Sequence, residues 1–103
     1  MRVATIAVWK PPVQRLQDFL AVCSEAKRIQ EKLGCEVKVW TSGFGGEPGT
    51  VAYVGEFEDL ARLGEFQSKV ESDVEWQALV ARFAADPPAE LIQNSLVNEA
   101  QLP

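Results

Sequence analysis

Histidine is absent from all 103 residues. That removes the imidazole general base, the Ser-His-Asp and Cys-His nucleophilic systems, His-ligated zinc and proximal-His haem. Cysteine is scarce: Cys23 and Cys35 are the only two. Two isolated cysteines make no disulfide framework and read as reduced, partly buried small hydrophobes. No stretch approaches the roughly 20 apolar residues that cross a bilayer. Arg2, followed by alternating side chains, reads as the start of a strand and not as a signal peptide. The expectation is a cytoplasmic protein without a membrane partner. A basic excess is also lacking. Ten Lys and Arg against fifteen Asp and Glu leave a net charge of −5, which repels a phosphate backbone. The densest basic group, Lys27 and Arg28, shares its helix with Glu25 and Glu31 and reads as a solvated face, so nucleic acid is not an expected partner. Nothing in the residue pattern asks for a metal or a cofactor.

What is present suits one domain over residues 1–103. Apolar residues make up 47% and charged residues 24%, ordinary values for a globular chain of this length. Arg2 to Trp9 is rich in β-branched and aromatic types, with Val3, Thr5, Ala7 and Trp9 on one face and Ala4, Ile6 and Val8 on the other. Pro11 and Pro12 stop this strand, and Pro12 suits the first turn of a helix. From Val13 to Leu33 the period becomes helical, with a stripe of Leu16, Phe19, Leu20, Cys23, Ala26, Ile29 and Leu33. Gly34 follows where a left-handed cap is wanted.

Glu36 to Thr41 alternates again, Val37 and Val39 against Lys38 and Trp40. Ser42 to Gly49 is a glycine-rich turn, and Thr50 to Phe57 is the returning strand, so the pair reads as a hairpin. The loop leads into a strand and carries no Lys, so it is not a phosphate loop; its length would also suit a lid. Asp59 can cap the next helix, whose stripe is Leu60, Leu63, Phe66 and Val70. Ser72 and Glu75 have capping-box spacing and start a new helical segment with Trp76, Leu79, Val80 and Phe83. Asp86-Pro87-Pro88 ends it, and Glu90 to Val97 is the last strand.

The order strand, helix, strand, strand, helix, strand predicts an α+β fold: a ferredoxin-like βαββαβ unit with both helices on one face of a four-stranded antiparallel sheet. Either choice for the other face exposes apolar residues, which predicts a homodimer closed sheet to sheet into an α+β barrel. The helix-facing side is then where a ligand cleft belongs. Trp9, Trp40, Tyr53 and Trp76 each bring a hydrogen-bonding tip to an apolar surface, Phe83 adds a ring, and Asn94 adds a polar group from the last strand. Core and dimer packing accounts for the same rings without a ligand. Glu56, Glu58 and Asp59 have the chemistry of a base or a hard-cation site, but capping and surface charge explain them more simply. Arg62 and Arg82 can hold a carboxylate or simply be solvated.

Glu56-Phe57-Glu58-Asp59-Leu60-Ala61, then Phe66, then Asp73-Val74-Glu75-Trp76-Gln77-Ala78-Leu79, resembles the second half of NIPSNAP-like proteins of the dimeric α+β barrel superfamily. An acidic, aromatic strand end leads into a helix, and a second short helix opens with an acid and contains Trp. The first half matches by element order only. The resemblance implies dimers with ligand clefts between each sheet and its helices. It also implies kinship with antibiotic-biosynthesis-type cofactor-free monooxygenases on aromatic polyketides, haem-degrading enzymes and lactone isomerases. No catalytic set carries over, and the haem-binding members cannot be matched because histidine is absent.

Three functions follow as expectations. One is a dimer that binds a small hydrophobic or aromatic ligand between sheet and helices. Another is a cofactor-independent monooxygenase or isomerase, in which the pocket orients an electron-rich substrate whose anion reacts directly with oxygen. The last is a structural dimer with a filled core. A cavity of about 300 Å³ or more separates the first two from the last.

Overall fold

The computed structural model describes residues 1–45 and 47–103; Gly46, within the predicted turn, lies outside the described residues. Strand β1 runs over Val3–Lys10 and ends at the two prolines. Pro12 does not enter the helix. It adopts an extended conformation and precedes a single 3₁₀ turn, Val13–Arg15, so helix α1 begins later than the periodicity suggests and spans Leu16–Lys32. Its buried face is Phe19, Cys23, Ala26 and Ile29, a three-and-four repeat. Ile29 is fully enclosed, and truncating a side chain in such a place costs ~2–5 kcal/mol. Gly34, at φ 103°, turns the chain in the left-handed region.

Strand β2 (Glu36–Thr41) and strand β3 (Val51–Phe57) form the expected hairpin. Helix α2 (Leu60–Glu71) is capped by Asp59, whose Oδ1 accepts from the Arg62 amide at 2.9 Å. Leu63, Phe66 and Val70 are buried as the stripe predicts, whereas Leu60 sits in the first turn and is largely exposed. The break falls where it was expected, but the cap is different. Asp73, not Ser72, accepts from the Trp76 amide at 2.8 Å and starts helix α3 (Val74–Ala85). Ser72 instead closes α2, its hydroxyl donating to the carbonyls of Ser68 and Lys69. Strand β4 covers Glu90–Asn98.

The sheet order is β2-β3-β1-β4, every pair antiparallel, which is the ferredoxin-like arrangement. Register fixes what each face carries. Against the helices lie the rows Val39–Tyr53–Ala7–Asn94 and Val37–Gly55–Thr5–Leu96. Away from the helices lie Trp40–Ala52–Val8–Gln93 and Lys38–Val54–Ile6–Ser95. That open face is therefore apolar along its middle, through Ile6, Val8, Ala52 and Val54, with Lys38 on one flank and Gln93 and Ser95 on the other. Trp40 is 61% exposed there. Between Val8 and Trp9 the register shifts, so Ile92 of β4 is left without a partner, a bulge. Among the described residues, no helix is long and apolar enough to cross a membrane.

Ion pairs tether α3 to the α1 side of the molecule. Arg28 and Lys32 converge on Glu75 at 2.8 and 2.6 Å, Arg82 reaches Glu25 at 2.6 Å, and Arg15 grips both carboxylate oxygens of Asp86. The basic residues of α1 are thus more than a solvated face. Lys27 also reaches the carbonyl of Val37 at 3.1 Å, linking α1 to β2.

Candidate functional site

The middle of the helix-facing sheet surface carries small side chains: Thr5 and Ala7 on β1 and Gly55 on β3. Large rings stand on either side. Trp9 meets Phe19 at 5.6 Å and Phe83 edge-on at 5.4 Å, while Phe57 meets Phe66 at 5.2 Å. Helices packed on rings at both ends cannot descend onto the small residues between them. The result is a cavity of about 530 Å³, with Thr5, Ala7 and Gly55 on the sheet side and residues from all three helices opposite. α1 contributes Val22, Cys23, Ala26 and Gln30; α2 contributes Leu63, Phe66, Gln67, Val70 and Glu71; α3 contributes Trp76, Leu79, Val80 and Phe83. A volume of this size is in the range of small-molecule sites, so the helix–sheet interface is not filled.

Five of the six candidate ligand-binding residues meet at this cavity: Trp9, Tyr53, Trp76, Phe83 and Asn94. Trp40 does not. It follows Val39 on β2, and alternation carries it to the opposite face of the sheet. Asn94 lines the cavity while its neighbour Gln93 faces the other way, its amide donating to Ser95 Oγ at 3.3 Å. Sequence reasoning missed Thr5, Gln30, Gln67 and Glu71. Gln30 and Gln67 each follow a buried member of an apolar stripe, Ile29 and Phe66. A polar residue beside such a stripe is the signal that could have found them.

The Tyr53 hydroxyl donates to Gln30 Oε1 at 2.6 Å, joining β3 to α1 across one wall of the cavity. Burial holds the Tyr53 phenol far above its ordinary range. Burial likewise pushes the Cys23 and Cys35 thiols up to about 11. Both are free and buried and both line the cavity, and a protonated thiol is a poor nucleophile. The indoles of Trp9 and Trp76 and the amides of Gln67 and Asn94 have no hydrogen-bond partner among the described residues. The site therefore offers orientation and hydrogen bonds over an apolar floor, with Gln67, Glu71 and Asn94 at a solvent-exposed rim.

The acidic junction after β3 is explained by local pairing. Glu56 is bonded by Arg2 at 3.3 Å and Lys38 at 3.5 Å, Arg2 also reaches Glu36 at 3.0 Å, and Asp59 caps α2. Among the described residues, no group of three or more Cys, Asp or Glu side chains is placed to hold a metal ion. Arg62 pairs with Glu65 at 3.3 Å and Arg82 with Glu25, so neither points to a ligand.

No protein-family pattern matches the sequence, and no curated protein sequence matches it. Solved structures do match the fold. A NIPSNAP family protein from Agrobacterium tumefaciens superimposes with a TM-score of 0.78 at 19% identity, over 97% of this chain and 94% of that one. An uncharacterized NIPSNAP-like domain protein from Burkholderia xenovorans gives 0.74 at 16% identity, over 99% and 88%. A Bacteroides thetaiotaomicron protein of unknown function, described as a possible oxidoreductase, gives 0.68 at 10% identity, over 93% and 95%. The chain has the NIPSNAP-like, ferredoxin-like α+β fold that the Glu56–Leu79 pattern resembles; at these identities the likeness speaks for the fold alone.

Proposed function

We propose that the chain is a homodimeric binding protein that takes a small, flat, largely apolar or aromatic ligand between its sheet and helices. The observation that carries this reading is the cavity of about 530 Å³ between two aromatic clusters, over a floor of Thr5, Ala7 and Gly55. Trp9, Tyr53, Trp76, Phe83 and Asn94 are its ligand contacts. The dimer rests on the other face: Ile6, Val8, Ala52, Val54 and Trp40 make an apolar band that a two-fold copy of the same sheet would cover. The two free thiols support a reducing, cytoplasmic location.

A thermal-shift screen over aromatic acids, quinones, haem and fatty acids tests the site. A compound that binds there raises the melting temperature, and the shift disappears in Val80→Trp, where a larger ring occupies the cavity wall. No shift from any compound, or a shift unchanged in Val80→Trp, removes the reading. Light scattering tests the assembly. It should report twice the 11.4 kDa of one chain, and about half that value for Ile6→Lys, whose charge falls in the apolar band. A wild-type mass of one chain at micromolar concentration removes the dimer.

A second reading, a cofactor-independent monooxygenase or isomerase on an aromatic, polyketide-like substrate, has one observation in its favour: the structural neighbour described as a possible oxidoreductase. Glu71 is the one carboxylate lining the cavity among the described residues, and so the one candidate base. Oxygen uptake or isomerisation of a bound aromatic, abolished in Glu71→Gln, would support catalysis. Binding without turnover leaves a binding protein.

A further inference from the structure

The charges around the cavity narrow what it can hold. We infer that it selects uncharged, hydrogen-bonding aromatic molecules and rejects carboxylates of the same shape, an inference that rests on the binding role proposed above. Among the described residues that line the cavity there is no Lys or Arg, and the chain has no His. The one charged lining residue, Glu71, is itself an anion. Cations on the surrounding helices are engaged outward: Arg28 and Lys32 with Glu75, Arg82 with Glu25, Arg62 with Glu65. Lys69 of α2 is not among the lining residues.

The other polar groups that line it are neutral. Gln30, Gln67 and Asn94 each present an amide that both donates and accepts, and the Trp9 and Trp76 indoles donate. Such a set matches carbonyl and hydroxyl groups on a flat ring system. Gln67, Glu71 and Asn94 are exposed and form a rim open to solvent. A carboxylate that passed this rim would give up its hydration against mainly apolar walls with no counter-charge to replace it, and one that stayed at the rim would sit beside Glu71. The protein's own acids at the cavity respond in that sense: burial shifts Tyr53, Cys23 and Cys35 upward, against their anionic forms. Missing hydrogen bonds on a neutral ligand cost far less than an unpaired buried charge.

The test is a matched pair of equal shape, 2-naphthamide and 2-naphthoate, titrated into the full-length protein by calorimetry between pH 5.5 and 8. Naphthamide should bind with an affinity that does not change over this range. Naphthoate should bind about 100-fold or more weakly at pH 7. Its apparent affinity should fall about tenfold per pH unit, because only the protonated acid enters. Gln67→Arg places a cation at the cavity wall. It should raise the ratio of naphthoate to naphthamide affinity at pH 7 by about 10-fold or more. If Gln67→Arg loses its cooperative melt, Glu71→Lys, which turns the one lining anion into a cation, serves in its place. Equal binding of the two probes across the pH range overturns the neutral-ligand inference and leaves the binding role standing. Failure of both probes to bind overturns the binding role, and this inference falls with it.

Discussion

Gly55 offers a direct check on how the cavity floor is packed. A Cβ built there would lie 2.8 Å from Cys35 Sγ and 3.0 Å from Thr5 Oγ1, where ordinary contacts begin at 3.4 Å. Cys35 is buried in a cluster with Val3, Val37 and Phe57, so its sulfur can yield only toward the cavity, at the loss of those contacts. Overpacking of this kind costs ~1–3 kcal/mol. Gly→Ala also removes freedom from the unfolded chain, which returns ~0.4–1 kcal/mol. Gly55→Ala should therefore destabilise by about 1 kcal/mol net, lowering the melting temperature by about 4–8 °C in a domain of this size. The cause can be isolated with a double-mutant cycle followed by thermal and urea melts. In a Cys35→Ala background the sulfur is gone and only the looser contact to Thr5 remains. Gly55→Ala should then be close to neutral, a coupling of about 1 kcal/mol between the two sites. A Gly55→Ala protein that melts at or above the wild-type temperature, or that loses as much stability with Cys35→Ala as without it, would refute the reasoning.

The helix start can be tested by comparing neighbours: Asp73→Ala, which removes the cap on the Trp76 amide, should lower stability by ~1 kcal/mol, whereas Ser72→Ala should stay within ~0.5 kcal/mol; the reverse order in chemical denaturation would restore Ser72 as the cap. Glu75 supplies a pH signature. Hydrogen bonds from Lys32, then from Arg28, hold its carboxyl down to about 2 from an ordinary 4.5. A depressed folded-state value means that its contribution is present above about pH 4.5 and is lost as pH falls from there toward 2. The melting temperature of the wild type should therefore drop more steeply than that of Glu75→Gln between these limits, with the difference shrinking in high salt because the groups are exposed. Parallel profiles would show that the two ion pairs do not contribute.

Element order was legible because the apolar period changes cleanly, from two in Val3–Lys10 to three-and-four in Leu16–Lys32 and back in Glu36–Thr41. Boundaries were less so. Pro12 has a helix-compatible φ but an extended ψ of 148°, which delays α1, and two adjacent acceptors, Ser72 and Asp73, compete for one cap. The strand faces were also readable: alternation alone separates Trp40 from Val37 and Val39. Which face the helices cover is not readable, since both faces are apolar, and so the sequence pattern places Trp40 with rings from which the sheet divides it. The cavity was the least legible feature. It arises from three small residues on two strands, Thr5, Ala7 and Gly55, that are neighbours only through the β1–β3 register, and no local pattern announces that a gap will be left above them.

The placement of β1 bears on the order of events in time. Val3 pairs with Phe57 on one side and with Asn98 on the other. The helices and the β2–β3 hairpin close locally and fast, on microsecond scales. β1, by contrast, pairs with partners about half the chain and nearly the whole chain away, and loop closure over such separations slows folding toward milliseconds and beyond. The cavity floor is shared between β1 and β3, with Asn94 of β4 at its edge. No contiguous piece of the chain that lacks β1 or β3 contains the floor, so the capacity to bind belongs to the completed sheet and cannot reside in the helices or the hairpin by themselves.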